Sequence, residues 1–322
     1  MTAPLIVTLT PNPSNDRTVT LAGPLERGAV QRLLSVTMQA GGKGVNISRA
    51  AVSAGLRTDA VFPARPDDPF VTELTAAGIA CSPAPPAGDV RLNLAITEPD
   101  GTTTKLNSPG STVSGRHLDD LAATLLDRAA EASWVVLAGS LPPGAPDGWY
   151  AELVQALRAT SARVAVDTSE GPLSALVAAL PGAAPDLMKP NGEELASFVG
   201  GDEATYESDP TTAAVAARQL IDRGVGAVLV TLGGAGAVLV TADGAWHATP
   251  PPTTVVSTVG AGDSSLFGYL LGEVRGGSPE ERLALAVAYG SAAASLPGTT
   301  IPEPEQTHPE QVLVKWVTSV DS

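Results

Sequence analysis

WVVLAGSLPPGAPDGWYAELVQALRATSARVAVD, from Trp134 to Asp167, opens and closes on short apolar runs, WVVLA at 134–138 and RVAVD at 163–167. Between them Leu153, Ala156 and Leu157 recur at helical spacing, so the stretch reads strand, crossover helix, strand. Strands joined in this way lie parallel, and helices cover their faces. LIVTL at 5–9 and AVLVTL at 227–232 have the same strand character, and Leu118, Leu121, Leu125 and Ala129 mark another crossover helix. The pattern predicts an α/β fold. Near the end of the chain, Ser278, Pro279 and Glu281 supply N-cap, N1 and N3 of a capping box ahead of LALAVAYGSAAASL, which starts a further helix.

Two stretches interrupt this alternation, about 13–40 and 88–108. VRLNLAITE, Pro99-Asp100-Gly101 and TTTKLN read as a hairpin with one open face. With no helical pattern beside them, the two stretches are expected to form a small β appendage on one edge of the α/β body. A second hairpin, GAVLVTA closed by Asp243-Gly244 and followed by AWHATPPP, is expected to finish the main sheet. No repeat or low-complexity linker divides the chain, so residues 1–322 are expected to form a single domain.

Composition narrows the function. A formal charge of -15 with a pI near 4.5 speaks against a nucleic-acid partner, which requires a basic face. Only four lysines occur, and Lys43, Lys105 and Lys189 each lie in a motif-like stretch. Cys81 is the single cysteine, and His117, His247 and His308 are scattered without ligand spacing, so no zinc site is indicated. No apolar run approaches the roughly 20 residues of a membrane helix, and the N-terminal run reads as a strand and not a signal peptide. A soluble, cytoplasmic protein without a membrane partner is expected.

The stretch TTVVSTVGAGDSSLFGYLLGEV, Thr253 to Val274, carries the strongest chemical signal. A strand-like run leads into Gly260-Ala261-Gly262-Asp263, and Leu266, Leu270 and Val274 then repeat at helical spacing. Glycines at a helix N-terminus expose free N–H groups that hold an anion, with phosphate the obvious candidate. Asp263, in the first turn, is placed to accept a proton from an attacking hydroxyl. A capping Asp alone would not need the two glycines. Upstream, Gly41-Gly42-Lys43-Gly44-Val45-Asn46 combines close backbone approach, a point charge and an amide, which suits a polyol phosphate. After the strand-like DLM, Lys189-Pro190-Asn191-Gly192-Glu193-Glu194 places polar groups past a strand end, where Mg²⁺ with its waters can be held. Taken alone, Asp263 is also explained as a helix cap, 41–46 as a glycine-rich turn with a solvated lysine, and 189–194 as a solvated loop. No Walker A loop and no strict G-x-G-x-x-G is present.

Together, Gly-Gly-Lys-Gly-Val-Asn and Thr-Val-Gly-Ala-Gly-Asp resemble the two signature regions of PfkB-type (ribokinase-like) carbohydrate kinases. TLTPNPSNDRT at 8–18, VRLN at 90–93, AGSLPPG at 138–144, KPNGEEL at 189–195 and TLGGAGA at 231–237 follow in that family's order, so the likeness spans the chain. Thr-Pro-Asn-Pro, Gly-Gly-Lys-Gly and Ser-Leu-Pro-Pro-Gly are similar to the 1-phosphofructokinase and tagatose-6-phosphate kinase branch. That branch has small or apolar residues before its N-terminal Asp, where this chain has Ser14-Asn15.

The resemblance implies a three-layer α/β/α sandwich whose β appendage is a lid and a homodimer contact. It implies a catalytic base at Asp263 with Gly260, Ala261 and Gly262 as the anion hole. Asp16, Gly41, Gly42 and Asn46 would hold sugar hydroxyls, with Lys43, Arg91 and Ser140 near the sugar's own phosphate. Thr231, Gly233 and Gly236 would line the ATP site, Lys189 would meet its phosphates, and Asn191 and Glu194 would hold Mg²⁺ through water. A monovalent cation near Ser257 and Val259 occurs in some relatives. The expected activity is transfer of the ATP γ-phosphoryl group to fructose 1-phosphate. Tagatose 6-phosphate, fructose 6-phosphate, a nucleoside, or a sensor without catalysis stand as alternatives.

Overall fold

The computed structural model describes residues 3–317, so 1–2 and 318–322 of the expected 1–322 domain lie outside the described residues. The strands are β1 (Leu5–Leu9), β2 (Ser14–Leu21), β3 (Leu33–Gly41), β4 (Arg57–Pro63), β5 (Ala80–Ala84), β6 (Arg91–Thr97), β7 (Thr103–Asn107), β8 (Trp134–Ala138), β9 (Arg163–Asp167), β10 (Leu187–Met188), β11 (Ala227–Thr231), β12 (Ala237–Thr241), β13 (Gly244–Thr249) and β14 (Leu313–Trp316). The helices are α1 (Lys43–Ser53), α2 (Pro69–Ala76), α3 (Gly115–Ala129), α4 (Trp149–Leu157), α5 (Glu170–Ala178), α6 (Gly192–Val199), α7 (Glu203–Ser208), α8 (Pro210–Ile221), α9 (Ala261–Val274) and α10 (Pro279–Ala294).

The large sheet runs β14-β13-β12-β11-β10-β9-β8-β1-β4-β5. From β5 to β11 every neighbour is parallel, and β12, β13 and β14 add antiparallel at one edge. Side chains alternate between its faces. Val7, Leu9, Val135, Leu137, Val164 and Val166 pack against α3, α4, α5 and α8, whereas Ile6, Trp134, Val136 and Ala165 pack against α1, α9 and α10. The result is a three-layer α/β/α sandwich, the arrangement that buries a parallel sheet on both sides.

Local expectations meet this frame unevenly. The capping box at Ser278 and Glu281 forms, and Leu118, Leu121, Leu125 and Ala129 are all buried on α3. On α4, Ala156 is exposed and the buried stripe is Tyr150, Leu153, Val154 and Leu157. The run at 253–259 is a loop and not a strand. Pro250, Pro251 and Pro252 in front of it remove three ladder donors. Nor does the 237–249 hairpin finish the sheet, because β14 pairs beyond β13. α9 is buried all round from Asp263 to Gly272, enclosed by α1, α10 and the sheet.

The second sheet, β3-β2-β6-β7, draws together the two interrupting stretches. Its register sets Gln39, Asp16, Asn93 and Asn107 in one transverse row. The adjacent row, on the opposite face, is Met38, Arg17, Leu94 and Leu106, and Val36, Val19 and Ile96 share that face. One face is therefore polar and the other largely apolar.

Candidate functional site

Two helix N-termini converge above the carboxyl ends of the parallel strands, where open α/β sheets bind ligands. Gly42 caps α1 with φ 134° and Gly260 caps α9 with φ 79°, conformations that only glycine adopts without strain. The first turns carry Lys43 and Asn46 on α1 and Asp263 on α9. Asn46 Nδ2 donates to Asp263 Oδ2 at 2.8 Å, leaving Oδ1 without a partner among the described residues. The backbone N–H groups of Gly262 and Asp263 likewise have no acceptor among the described residues. Such free donors at a helix N-terminus form an anion site.

Asp167, at the end of β9, holds the cations together. Lys43 Nζ donates to its Oδ1 at 2.8 Å, and Lys189 Nζ lies 3.4 Å from its Oδ2. Asp167 is fully buried, yet the two ammonium groups outweigh that burial and hold its carboxyl below the usual range. Burial works against the charge of Lys43 as well, but Asp167, Asp263 and Glu194 hold it protonated above its ordinary range. Asp263 is the opposite case. Burial pushes its carboxyl up to about 6, Lys43 pulls it down, and Asp167 adds repulsion. A base poised near neutral pH results. A Cβ on Gly262 would lie 3.3 Å from Lys189 Nζ, so this cation faces the α9 turn.

A cleft of about 640 Å³ opens beside this turn, within the range of small-ligand sites. Thr231, Gly233, Gly236 and Asn191 line it together with Ala261 and Gly262. Asn191 and Glu194 form a reciprocal capping box: Glu194 N donates to Asn191 Oδ1, and Asn191 N to Glu194 Oε2. Burial raises the Glu194 carboxyl. Asn191 Oδ1 and Glu194 Oε2 are spent in this box, and Glu194 Oε1, without a partner among the described residues, is the oxygen that fits a hard cation held through water.

The polar row of the small sheet supplies the other side. Asp16 Oδ1 accepts from Ser14 Oγ at 2.7 Å and from Asn93 Nδ2 at 3.0 Å. A Cβ on Gly41 would fall 2.2 Å from Asp16 Oδ2, so this carboxylate needs the glycine opposite. Gln39 Oε1 accepts from Thr299 Oγ1 at 3.3 Å, next to the α9 turn.

The structure thus joins Lys43 and Lys189 through Asp167 and Asn46 to Asp263, and gathers Asn191, Thr231, Gly233, Gly236, Ala261 and Gly262 around one cleft. Arg91 and Ser140 stand apart from that network. Arg91 shares the polar face of the small sheet with Asp16 and Asn93, and its Nη1 donates to Ser108 O at 2.9 Å. Burial lowers its pKa against the pull of Asp16. Ser140 is exposed just after Gly139, whose carbonyl accepts from Tyr150 and Thr168. Lys105 is exposed on β7, away from the cluster. Asp167 carries no site role in the sequence reading, and Asn93 enters there only as the last residue of VRLN. For Asp167 a signal existed, since an acidic residue closes the otherwise buried strand RVAVD.

The chain and its fold match known proteins. The chain is 38% identical over 307 residues to the 1-phosphofructokinase of Rhodobacter capsulatus, covering 94% of each chain. Phosphofructokinase-2 from Escherichia coli, solved with substrates and products, superposes with a TM-score of 0.84 at 29% identity, covering 94% of this chain and 96% of that one. The same enzyme solved with potassium gives a TM-score of 0.85 at 28% identity, with 95% and 97% covered. The family model for pfkB family carbohydrate kinases matches residues 12–306, and the chain belongs to that family of kinases.

Proposed function

We propose that this kinase transfers the γ-phosphoryl group of ATP to fructose 1-phosphate, giving fructose 1,6-bisphosphate, with Asp263 as general base. The observation that carries this reading is the pair Asn46–Asp263 beside the triad Lys43–Asp167–Lys189, next to the Ala261–Gly262 turn that lines the cleft. Asn46 engages Oδ2 and so turns Oδ1 toward the acceptor hydroxyl. In the transfer step that oxygen takes the hydroxyl proton, a bond forms from the sugar oxygen to the γ-phosphorus, and the bond to the β–γ bridging oxygen breaks to release ADP. The free N–H groups of Gly262 and Asp263 stabilise the charge on the passing phosphoryl group, with Lys189 beside them. Asn191 and Glu194 are the residues that would hold Mg²⁺ through water, and when bound it neutralises the β- and γ-phosphates.

In this reading Thr231, Gly233 and Gly236 border the nucleotide. Asp16, Gly41, Gly42 and Asn46 meet sugar hydroxyls, while Lys43, Arg91 and Ser140 approach the sugar's own phosphate. A monovalent cation near Ser257 and Val259 is part of the same proposal, supported by the potassium complex of the structural relative. Residues 1–322 act as one domain, and the sheet from about 13–40 and 88–108 is its lid. The exposed apolar side chains Val36, Met38 and Leu106 favour a second copy of the chain as cover for its outer face.

Turnover in a coupled ADP-release assay on fructose 1-phosphate, fructose 6-phosphate, tagatose 6-phosphate, fructose and a nucleoside tests the substrate. Fructose 1-phosphate is expected to give the highest kcat/KM, and another preferred acceptor overturns that choice. Asp263→Asn is expected to lower kcat by about 10² to 10⁴. A variant keeping half the wild-type rate removes Asp263 as base, and a sensor without catalysis shows no sugar-dependent ADP release at all.

A further inference from the structure

Far from the site, at the opposite end of the parallel strands, Arg163 opens β9. Its guanidinium pairs with Glu273 near the end of α9, lies 3.8 Å from Asp186 just before β10, and stacks 4.3 Å from the ring centroid of Trp134 at the start of β8. Glu273, only 12% exposed, also pairs with Arg282 of α10. Asp186 in turn accepts from Val164 N on β9 at 2.7 Å. Each element tied here carries or leads into a site residue at its other end: β9 ends at Asp167, β10 leads into Lys189, α9 holds Asp263 in its first turn, and β8 leads into Gly139 and Ser140.

The lengths correspond. Arg163 to Asp167 spans about 13 Å of strand, and Asp263 to Glu273 spans about 15 Å of helix. An anchor at the base of β9 and α9 therefore sets how high Asp263 stands against Asp167 and its two lysines. We infer that Arg163 is a positioning residue, one planar side chain that fixes the register of β8, β9, β10 and α9 and so places Asp263 for proton transfer. Only a guanidinium can fork between two carboxylates and lie flat on an indole at once. Lysine would reach one carboxylate and lose the stack.

The inference rests on the reading of Asp263 as base, so Asp263→Asn is assayed alongside Arg163→Met, Arg163→Lys and Glu273→Gln. Leu121→Ala, in the core on the other face of the sheet, serves as a stability reference. A misplacement of 1 Å can cost about 10²-fold in rate. Arg163→Met and Glu273→Gln are expected to lower kcat about tenfold or more, with KM for ATP and sugar phosphate within about twofold. They also displace the acid limb of the pH profile, because Lys43, Asp167, Lys189 and Asn46 all face Asp263 and their distances to it change. Arg163→Lys recovers melting temperature but not kcat, and Leu121→Ala loses melting temperature while keeping kcat and the acid limb. Should Arg163→Met not fold, Arg163→Lys and Glu273→Gln carry the test. Wild-type kcat and acid limb in the folded Arg163 and Glu273 variants would overturn the inference, as would changes no larger than those of Leu121→Ala. If those variants are silent while Asp263→Asn collapses turnover, the positioning role alone is wrong. If Asp263→Asn stays active, the base assignment falls first.

Discussion

Asn46 Nδ2 donates to Asp263 Oδ2 across 2.8 Å, joining residues 217 positions apart in the chain. The bond ties the N-terminus of α1 to that of α9 and opposes the burial that raises the Asp263 carboxyl to about 6. As the proposed base, Asp263 works only when ionised, so kcat/KM should fall as pH drops through about 6. Asn46→Ala removes a donor to the charged form, worth about 1.5 kcal/mol or more, and moves that limb upward by about one pH unit. A pH–rate profile of the two proteins checks it, and coincident acid limbs count against the assignment.

The same carboxyl makes a claim about stability. Its folded pKa of about 6 lies above the usual carboxylate value, so between the two the native state binds more protons than the unfolded chain. Stability is then present at acid pH and lost as pH rises through about 6. Asp263→Asn, neutral throughout, should match the wild type near pH 4 and exceed it at pH 8 by up to about 3 kcal/mol. Urea denaturation at the two pH values measures the difference. A variant less stable than wild type at pH 8 contradicts the origin given for the shift.

Gly41 tests the sugar side by sterics alone. Alanine there would place Cβ 2.2 Å from Asp16 Oδ2 and force out a carboxylate that Ser14 and Asn93 hold in place. Losing hydrogen bonds from a charged group to the sugar costs about 1.5 to 3 kcal/mol. Gly41→Ala should thus raise KM for the sugar phosphate about tenfold or more and leave KM for ATP within twofold. An equal rise in both would detach Asp16 from the acceptor.

What could be read directly from residues was what local chemistry decides. The β-α-β unit from Trp134 to Asp167, the capping box at Ser278 and the glycine turn before Asp263 each carry their signal within a few positions, and each forms. The run TTVVSTV had strand propensity but no partner strand, and it lies as loop along the cleft instead. β14 was invisible for the complementary reason, since LVKW becomes a strand only by pairing with β13. Asp167 shows the limit best. Its importance comes from Lys43 and Lys189 meeting it, at separations of 124 and 22 positions, and although each of the three has a local peculiarity, nothing local says that they meet.

Phosphoryl transfer to a sugar competes with transfer to water, so the acceptor must be covered before attack. The small sheet has the means to cover it. Its polar row of Gln39, Asp16, Asn93 and Asn107 lies on the same face as Arg91, and its links to the body include the Gln39–Thr299 bond and Asn12 Nδ2 to Pro109 O at 3.1 Å. The base of β3 is held to α1 and α2 by Arg49 Nη2 to Ala40 O and Ala40 N to Glu73, so movement would fall on the rest of the sheet, and the group best placed to draw it down is a sugar bearing an anion for Arg91. Closure should then depend on sugar phosphate and not on ATP alone. Hydrogen exchange of residues 88–108 with an ATP analogue, with sugar phosphate and with both is expected to show protection only where sugar phosphate is present. Identical exchange in all three states would make β6 and β7 a fixed wall of the site or a permanent contact with a second copy.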